Sequence, residues 1–253
     1  MSTLIAHPEA HYQFLTGIDP YSCGVVAMPG YEVVHVTLGR RLPWREGFEL
    51  VDRFLAAQKL CRSALCAMEL RSPAPFSMDG FIEFNRSYCA VLDSWGLRVK
   101  KLNPLARTNV APLYEAPESP CLHGFSIVRP HAGLESRTFI VAGAGELREG
   151  TLDSRGIVRS GETTSEAMLE KARYVLDVMA ERLRGLGGDW SQVTTVNVYT
   201  VHPLEQALRS LLVERLGAAV QRGITWHWTR PPVVDIEFEM DLRGVATEWV
   251  LSS

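Results

Sequence analysis

Four polar residues have types and positions that could do chemistry: Asn85, Arg107, Arg222 and Glu237. A guanidinium pairs a carboxylate through two parallel hydrogen bonds, so an arginine is a natural clamp for an acid substrate. A carboxylate can hold a water and exchange its proton with a departing group. Arg222 opens the closing segment Arg222-Gly-Ile-Thr-Trp-His-Trp-Thr-Arg-Pro-Pro-Val-Val-Asp-Ile-Glu237, with the glutamate fifteen positions on. Arg107 follows Pro104-Leu-Ala, and Asn85 lies in Phe84-Asn-Arg-Ser-Tyr88. A plainer alternative stays open from spacing alone. An arginine at a strand start and a glutamate on a terminal strand form surface ion pairs in many proteins, worth little to stability. Asn85 could equally be a helix-surface amide.

Other chemistries find little support. His7 and His11 have H-x-x-x-H spacing, but Pro8 and Glu9 between them do not make the H-E-x-x-H helix of a zinc protease. The five cysteines contain no C-x-x-C pair, so neither a disulfide framework nor a zinc site is expected. No G-x-S-x-G elbow occurs. The glycines at 185–188 end a helix instead of opening one, which makes them a cap and not a phosphate loop. Trp226, His227 and Trp228 alternate on one strand, both indoles to one face. We read them as packed aromatic core, with a stacking pocket wall as the functional alternative.

The elements that must position these residues are legible from periodicity. Met168, Leu169, Ala172, Val175, Leu176, Met179, Leu183 and Leu186 make one face of a helix over 165–187, with Thr163 and Glu166 resembling a capping box. A strand over 193–201, a helix through Leu204–Leu216 and strands over 223–229 and 233–240 follow. The first half repeats this order: strand 31–38, helix 48–60, strand 64–70, helix 81–95, then strands 107–113 and 124–128. Two copies of so long a unit suggest a tandem duplication, with residues 1–130 and 131–253 as the two domains. The expected fold class is α/β, an α+β two-layer sandwich in each half, with helices on one face of a mixed sheet. The bare face of each sheet needs a cover, from the other half or from another chain.

Composition bounds the rest. A hydrophobic fraction of 46% and a charged fraction of 22% are globular values, and a net charge of −3 gives no reason to expect nucleic acid or an anionic membrane as partner. No apolar run reaches the roughly 20 residues that span a bilayer, and a cytoplasmic location is the expectation.

Taken together, residues 135–250 resemble the RidA (YjgF-like) family of reactive-intermediate deaminases. The resemblance is carried by Phe139-Ile-Val-Ala-Gly-Ala-Gly, the 166–186 helix, the 193–201 strand, and Arg222, Pro231 and Glu237 at the family's intervals. The first half is similar more faintly, through Asn85 and the Pro104–Arg107 run, and lacks the glutamate: Leu122 and His123 stand there. The resemblance implies a cofactor-free, metal-free deaminase that hydrolyses a small enamine or imine carboxylate to a keto acid and ammonia. It implies a homotrimer with pockets between halves or subunits. In it Glu237 is catalytic, and Arg222, Arg107 and Asn85 bind substrate. A non-catalytic ligand-binding protein and a chorismatase-like, pyruvate-releasing enzyme are the alternatives.

Overall fold

The computed structural model describes residues 3–148 and 154–252. The chain runs β1 (Leu4–Ala6), β2 (Tyr12–Leu15), β3 (Gly24–Ala27), β4 (Tyr31–Pro43), α1 (Trp44–Ala57), β5 (Leu65–Arg71), α2 (Met78–Ser94), β6 (Ala106–Pro112) and β7 (Cys121–Pro130). It continues through β8 (Phe139–Gly145), α3 (Ser165–Gly185), β9 (Thr195–Tyr199), α4 (Gln206–Leu216), β10 (Thr225–His227), β11 (Thr229–Arg230), β12 (Glu239–Gly244) and β13 (Thr247–Leu251). The order strand, helix, strand, helix, strand, strand expected for residues 31–130 is present. The caps are local: Ser77 accepts from the Gly80 amide ahead of α2, and Thr164, not Thr163, accepts from Ala167 ahead of α3.

The strands form two mixed sheets. One has the order β1-β2-β3-β8-β12-β9-β10, the other β11-β6-β5-β7-β4-β13. Alternation along each strand sends one set of side chains to helices and the other set between the sheets. Phe139 and Val141 of β8, with Val196, Val198, Met240 and Leu242, pack under α3 and α4. Val34, Val36, Met68, Leu70 and Phe125 pack under α1 and α2. Tyr12, Phe14, Val25, Val33, Ala67, Ala106, Val128 and Ala142 fill the space between the sheets. The result is a mixed α+β protein layered helix, sheet, sheet, helix, in which the sheet covering each bare face comes from the same chain. The division at residue 130 is not a division of the sheets. β1–β3 join the sheet of the second half, while β11 and β13 join that of the first.

Two departures from expectation occur near the C-terminus. The strand expected over 233–240 begins only at Glu239. Before it, Asp235 has a left-handed φ of 70°, and the backbone amides of Glu237 and Phe238 donate to the Glu146 carboxylate at 2.6 and 3.0 Å instead of to a neighbouring strand. Glu146 is itself held by Lys171 of α3, Nζ to Oε1 3.0 Å, with both side chains wholly buried. Second, β13 was not anticipated. It pairs in parallel with β4, and Thr247 and Arg129 both donate to the buried Glu32 carboxylate.

The Glu146–Lys171 pair therefore sets where β12 starts. Removing one member of a buried pair leaves the other charge uncompensated, at a cost of about 3–5 kcal/mol. Lys171→Met should lower Tm sharply in thermal unfolding, and adding Glu146→Gln should recover part of the loss. Equal Tm values for the single variant and the wild type would show that the pair carries no such constraint.

Candidate active site

A cavity of about 660 Å³ opens where the two halves meet. Its walls include Tyr21, Phe81, Arg107 and Asn109 from the first half, and Gly143, Arg148, Arg182, Ile236 and Glu239 from the second. One chain thus assembles the whole cavity. Arg107 and Asn109 are brought in by β6, Arg182 by α3, and Glu239 by the first position of β12.

Arg107 is buried, and its Nη2 donates to Asn85 Oδ1 at 2.7 Å, so these two expected residues do come together. Aromatic rings surround the guanidinium: Tyr88 at 4.8 Å, Tyr21 at 5.2 Å and Phe81 at 5.7 Å. Among the described residues, Arg107 Nη1, Asn109 Nδ2, Asn85 Nδ2 and the Tyr88 hydroxyl are buried with no hydrogen-bond partner. Such orphaned donors are costly inside a fold, and one on Arg107 itself with three more on Asn85, Tyr88 and Asn109 suit an anion. Arg182 Nη1 donates to the carbonyls of Ala142 and Gly143 at 2.9 and 3.2 Å, which fixes a second guanidinium on the opposite wall.

Glu239 is buried and lines the same cavity as both arginines. Burial raises its carboxyl well above the usual carboxylate range, the charges of Asp241 and Glu146 add to the rise, and Arg182 and Arg107 oppose it. These surroundings favour the protonated form of Glu239 over its carboxylate. Its place depends on Gly143, where an added Cβ would come within 2.4 Å of Glu239 Oε1. This is a steric reason for glycine at position 143.

The other two expected site residues lie elsewhere. Arg222 ends a short 3₁₀ turn, where its Nη1 donates to the carbonyls of Ser191 and Val193, and it does not line the cavity. Glu237 sits in the irregular segment ahead of β12 and meets His202 at 2.7 Å. The two do not pair. Counting fifteen positions from Arg222 stops two residues short of Glu239, because the strand register is set by Glu146 and not by the pattern of apolar residues. The aromatic strand also departs from expectation. Trp226 and Trp228 are exposed, while His227 faces inward, stacks on Tyr199 and donates to Asn197.

The fold belongs to a known class. A solved chorismatase structure aligns over 97% of this chain and 90% of its own, with a TM-score of 0.51 at 15% identity, a likeness of fold alone. A cyanuric acid hydrolase matches over 88% of this chain and 69% of its own at 11% identity, with a TM-score of only 0.42. The family is shown by sequence. The model of the 2-aminomuconate deaminase CnbZ family matches residues 4–249, and the chain belongs to that family. A 2-amino-5-chloromuconate deaminase from Comamonas testosteroni is 37% identical over 254 residues, covering 99% of this chain and all of the relative. The RidA resemblance is corrected accordingly: the family model that spans this chain is CnbZ. No described helix is long and apolar enough to cross a membrane.

The raised Glu239 carboxyl has a consequence for stability. A group that holds its proton more tightly folded than unfolded contributes stability below its unfolded pKa, about 4.3, and loses it as pH rises toward the folded value. Glu239→Gln removes this dependence. The Tm of the variant should therefore gain on the wild type steadily from pH 5 to pH 8 in calorimetry. A constant difference across that range would mean that Glu239 ionises normally.

Proposed function

We propose that this protein is a cofactor-free deaminase of 2-aminomuconate-type substrates, in which Glu239 is the acid–base group and Arg107 the carboxylate clamp. The observation that carries the reading is the buried acid Glu239 lining one cavity with Arg107 and Arg182. The family and its 2-amino-5-chloromuconate deaminase member support the same chemistry.

A 2-aminomuconate is a six-carbon dienamine with a carboxylate at each end. The carboxylate beside the amino carbon pairs with Arg107 and the orphaned amide of Asn109, while Asn85 holds the Arg107 guanidinium in place. The second carboxylate lies toward Arg182 and Arg148. Protonated Glu239 gives its proton to the carbon chain, and the enamine becomes an iminium. The resulting carboxylate takes a proton from water as the oxygen adds to the carbon that bears nitrogen. That proton passes to the amino group, ammonia leaves as the new hydroxyl gives its proton back to Glu239, and the 2-oxo acid remains with the acid restored. One water is consumed and one ammonia released. General acid–base assistance of this kind contributes about 10²–10⁴ in rate, and aligned guanidiniums stabilise the charge that develops near the carboxylates.

The test follows ammonia release from 2-aminomuconate, with 2-iminopropionate and chorismate as comparison substrates. Glu239→Gln should lower kcat by at least a hundredfold with KM little changed. Arg107→Lys should chiefly raise KM, because an ammonium cannot reproduce the planar fork. Glu237→Gln and Arg222→Lys should keep near-normal turnover. Full activity in Glu239→Gln, or loss of activity in Glu237→Gln alone, would overturn the assignment. Pyruvate release from chorismate would replace it with the chorismatase reading.

A further inference from the structure

We propose that Asp241 is a positioning residue for this reaction: its hydrogen-bonded negative charge, on the same face of β12 as Glu239, sets the pH at which Glu239 gives up its proton. The inference rests on the deaminase reading above.

Glu239 and Asp241 stand two positions apart on one strand, opposite Tyr199 and Asn197 of β9 in a regular register. Their neighbours Met240 and Leu242 turn to the helix side, so both carboxyls turn between the sheets. Three neutral donors engage Asp241: Thr108 Oγ1 at 2.7 Å, Asn197 Nδ2 at 2.8 Å and the Tyr199 hydroxyl at 2.9 Å. Three donors on one carboxyl fix its orientation and satisfy its oxygens. The set is itself secured. Asn197 Oδ1 accepts from His227 Nε2, which orients the amide, and burial keeps the Tyr199 hydroxyl protonated and donating.

Two acidic neighbours act on Glu239, and only one has its charge uncancelled at contact. Glu146 is paired with Lys171 at 3.0 Å. Among the described residues, no lysine, arginine or histidine lies within ion-pair distance of Asp241. The surrounding charged groups come from every packed element. Arg107 from β6 and Arg182 from α3 face Glu239. Arg243 of β12, His35 of β4 and His227 of β10 face Asp241 at longer range. Glu69 and Arg71 of β5 reach the same region, but Glu69 is occupied by His35, Arg71 and Arg243 at 3.6 Å each. Neutral donors fix Asp241 without cancelling it, and its field falls on both neighbours two positions away on β12, Glu239 and Arg243.

The experiment measures kcat/KM for 2-aminomuconate against pH in the wild type, Asp241→Asn and Tyr199→Phe. The wild-type profile falls on the alkaline side as Glu239 loses its proton. Asp241→Asn should move that limb to lower pH by one unit or more, the size expected for removing a nearby like charge. Tyr199→Phe deletes one donor, weakens the fixed charge and should move the limb the same way by less. A limb that stays in place in both variants would overturn the proposal, and if Asp241→Asn does not fold, Tyr199→Phe decides it. The Tm gap between each variant and its Glu239→Gln double variant should follow the same displacement. That readout needs no turnover, so an inactive wild type would refute the deaminase reading while the Tm gap still judged Asp241.

Discussion

Two carboxyl groups on the buried face of one strand are an expensive arrangement, and much of the molecule is organised around it. Glu239 and Asp241 could both be accommodated only by treating them differently. Asp241 is held by three donors, from Thr108, Asn197 and Tyr199. Glu239 is buried, with a glycine against its oxygen and acidic neighbours beside it, which raises its carboxyl above the usual range although Arg182 and Arg107 oppose the rise. Environments that push two acids apart are the usual origin of acid–base roles in enzymes. Here a two-residue step along β12 separates them.

The same economy appears in the ion pair beneath the strand. Glu146 and Lys171 are fully buried, a placement that adds little net stability once desolvation is counted. Its value is positional. By taking the amides of Glu237 and Phe238, Glu146 ends the irregular segment and lets β12 begin with Glu239 facing the cavity. Register is the variable at stake, since a one-residue slip would turn the acid to the helix side.

Strand exchange brings the cation to meet this acid. β1–β3 extend the sheet that holds β12, and β11 and β13 extend the sheet that holds β6, so the halves are laced together. Arg107 and Glu239 belong to different halves and different sheets, yet line one cavity. A pocket of this kind needs no neighbouring subunit to bring its acid and its clamp together. The family membership agrees with this whole-chain construction, since the CnbZ model matches residues 4–249 as a unit.

Periodicity along the chain determined most of the elements, because apolar spacing of 3.6 or 2 is a local property that each segment carries with it. The helices Ser165–Gly185 and Met78–Ser94, the strands of the first half from Tyr31 onward and the mixed α+β character were readable in this way, whereas β1–β3 were not. Arg107 and Asn85 were also readable, since a proline-led strand start and a helix polar position mark them locally. Glu239 was not. Its register depends on Glu146, ninety-three positions earlier, and nothing in the run Val233–Met240 separates a strand from a segment whose amides are taken by a distant carboxylate. The exposure of Trp226 and Trp228 was likewise hidden, because β10 became an edge strand only when the sheets assembled. The sequence by itself determined the long helices and most of the central strands, but not β1–β3, β13 or the start of β12. Only the tertiary structure decided which carboxyl meets Arg107, because long-range pairing, and not local pattern, sets register and chooses neighbours.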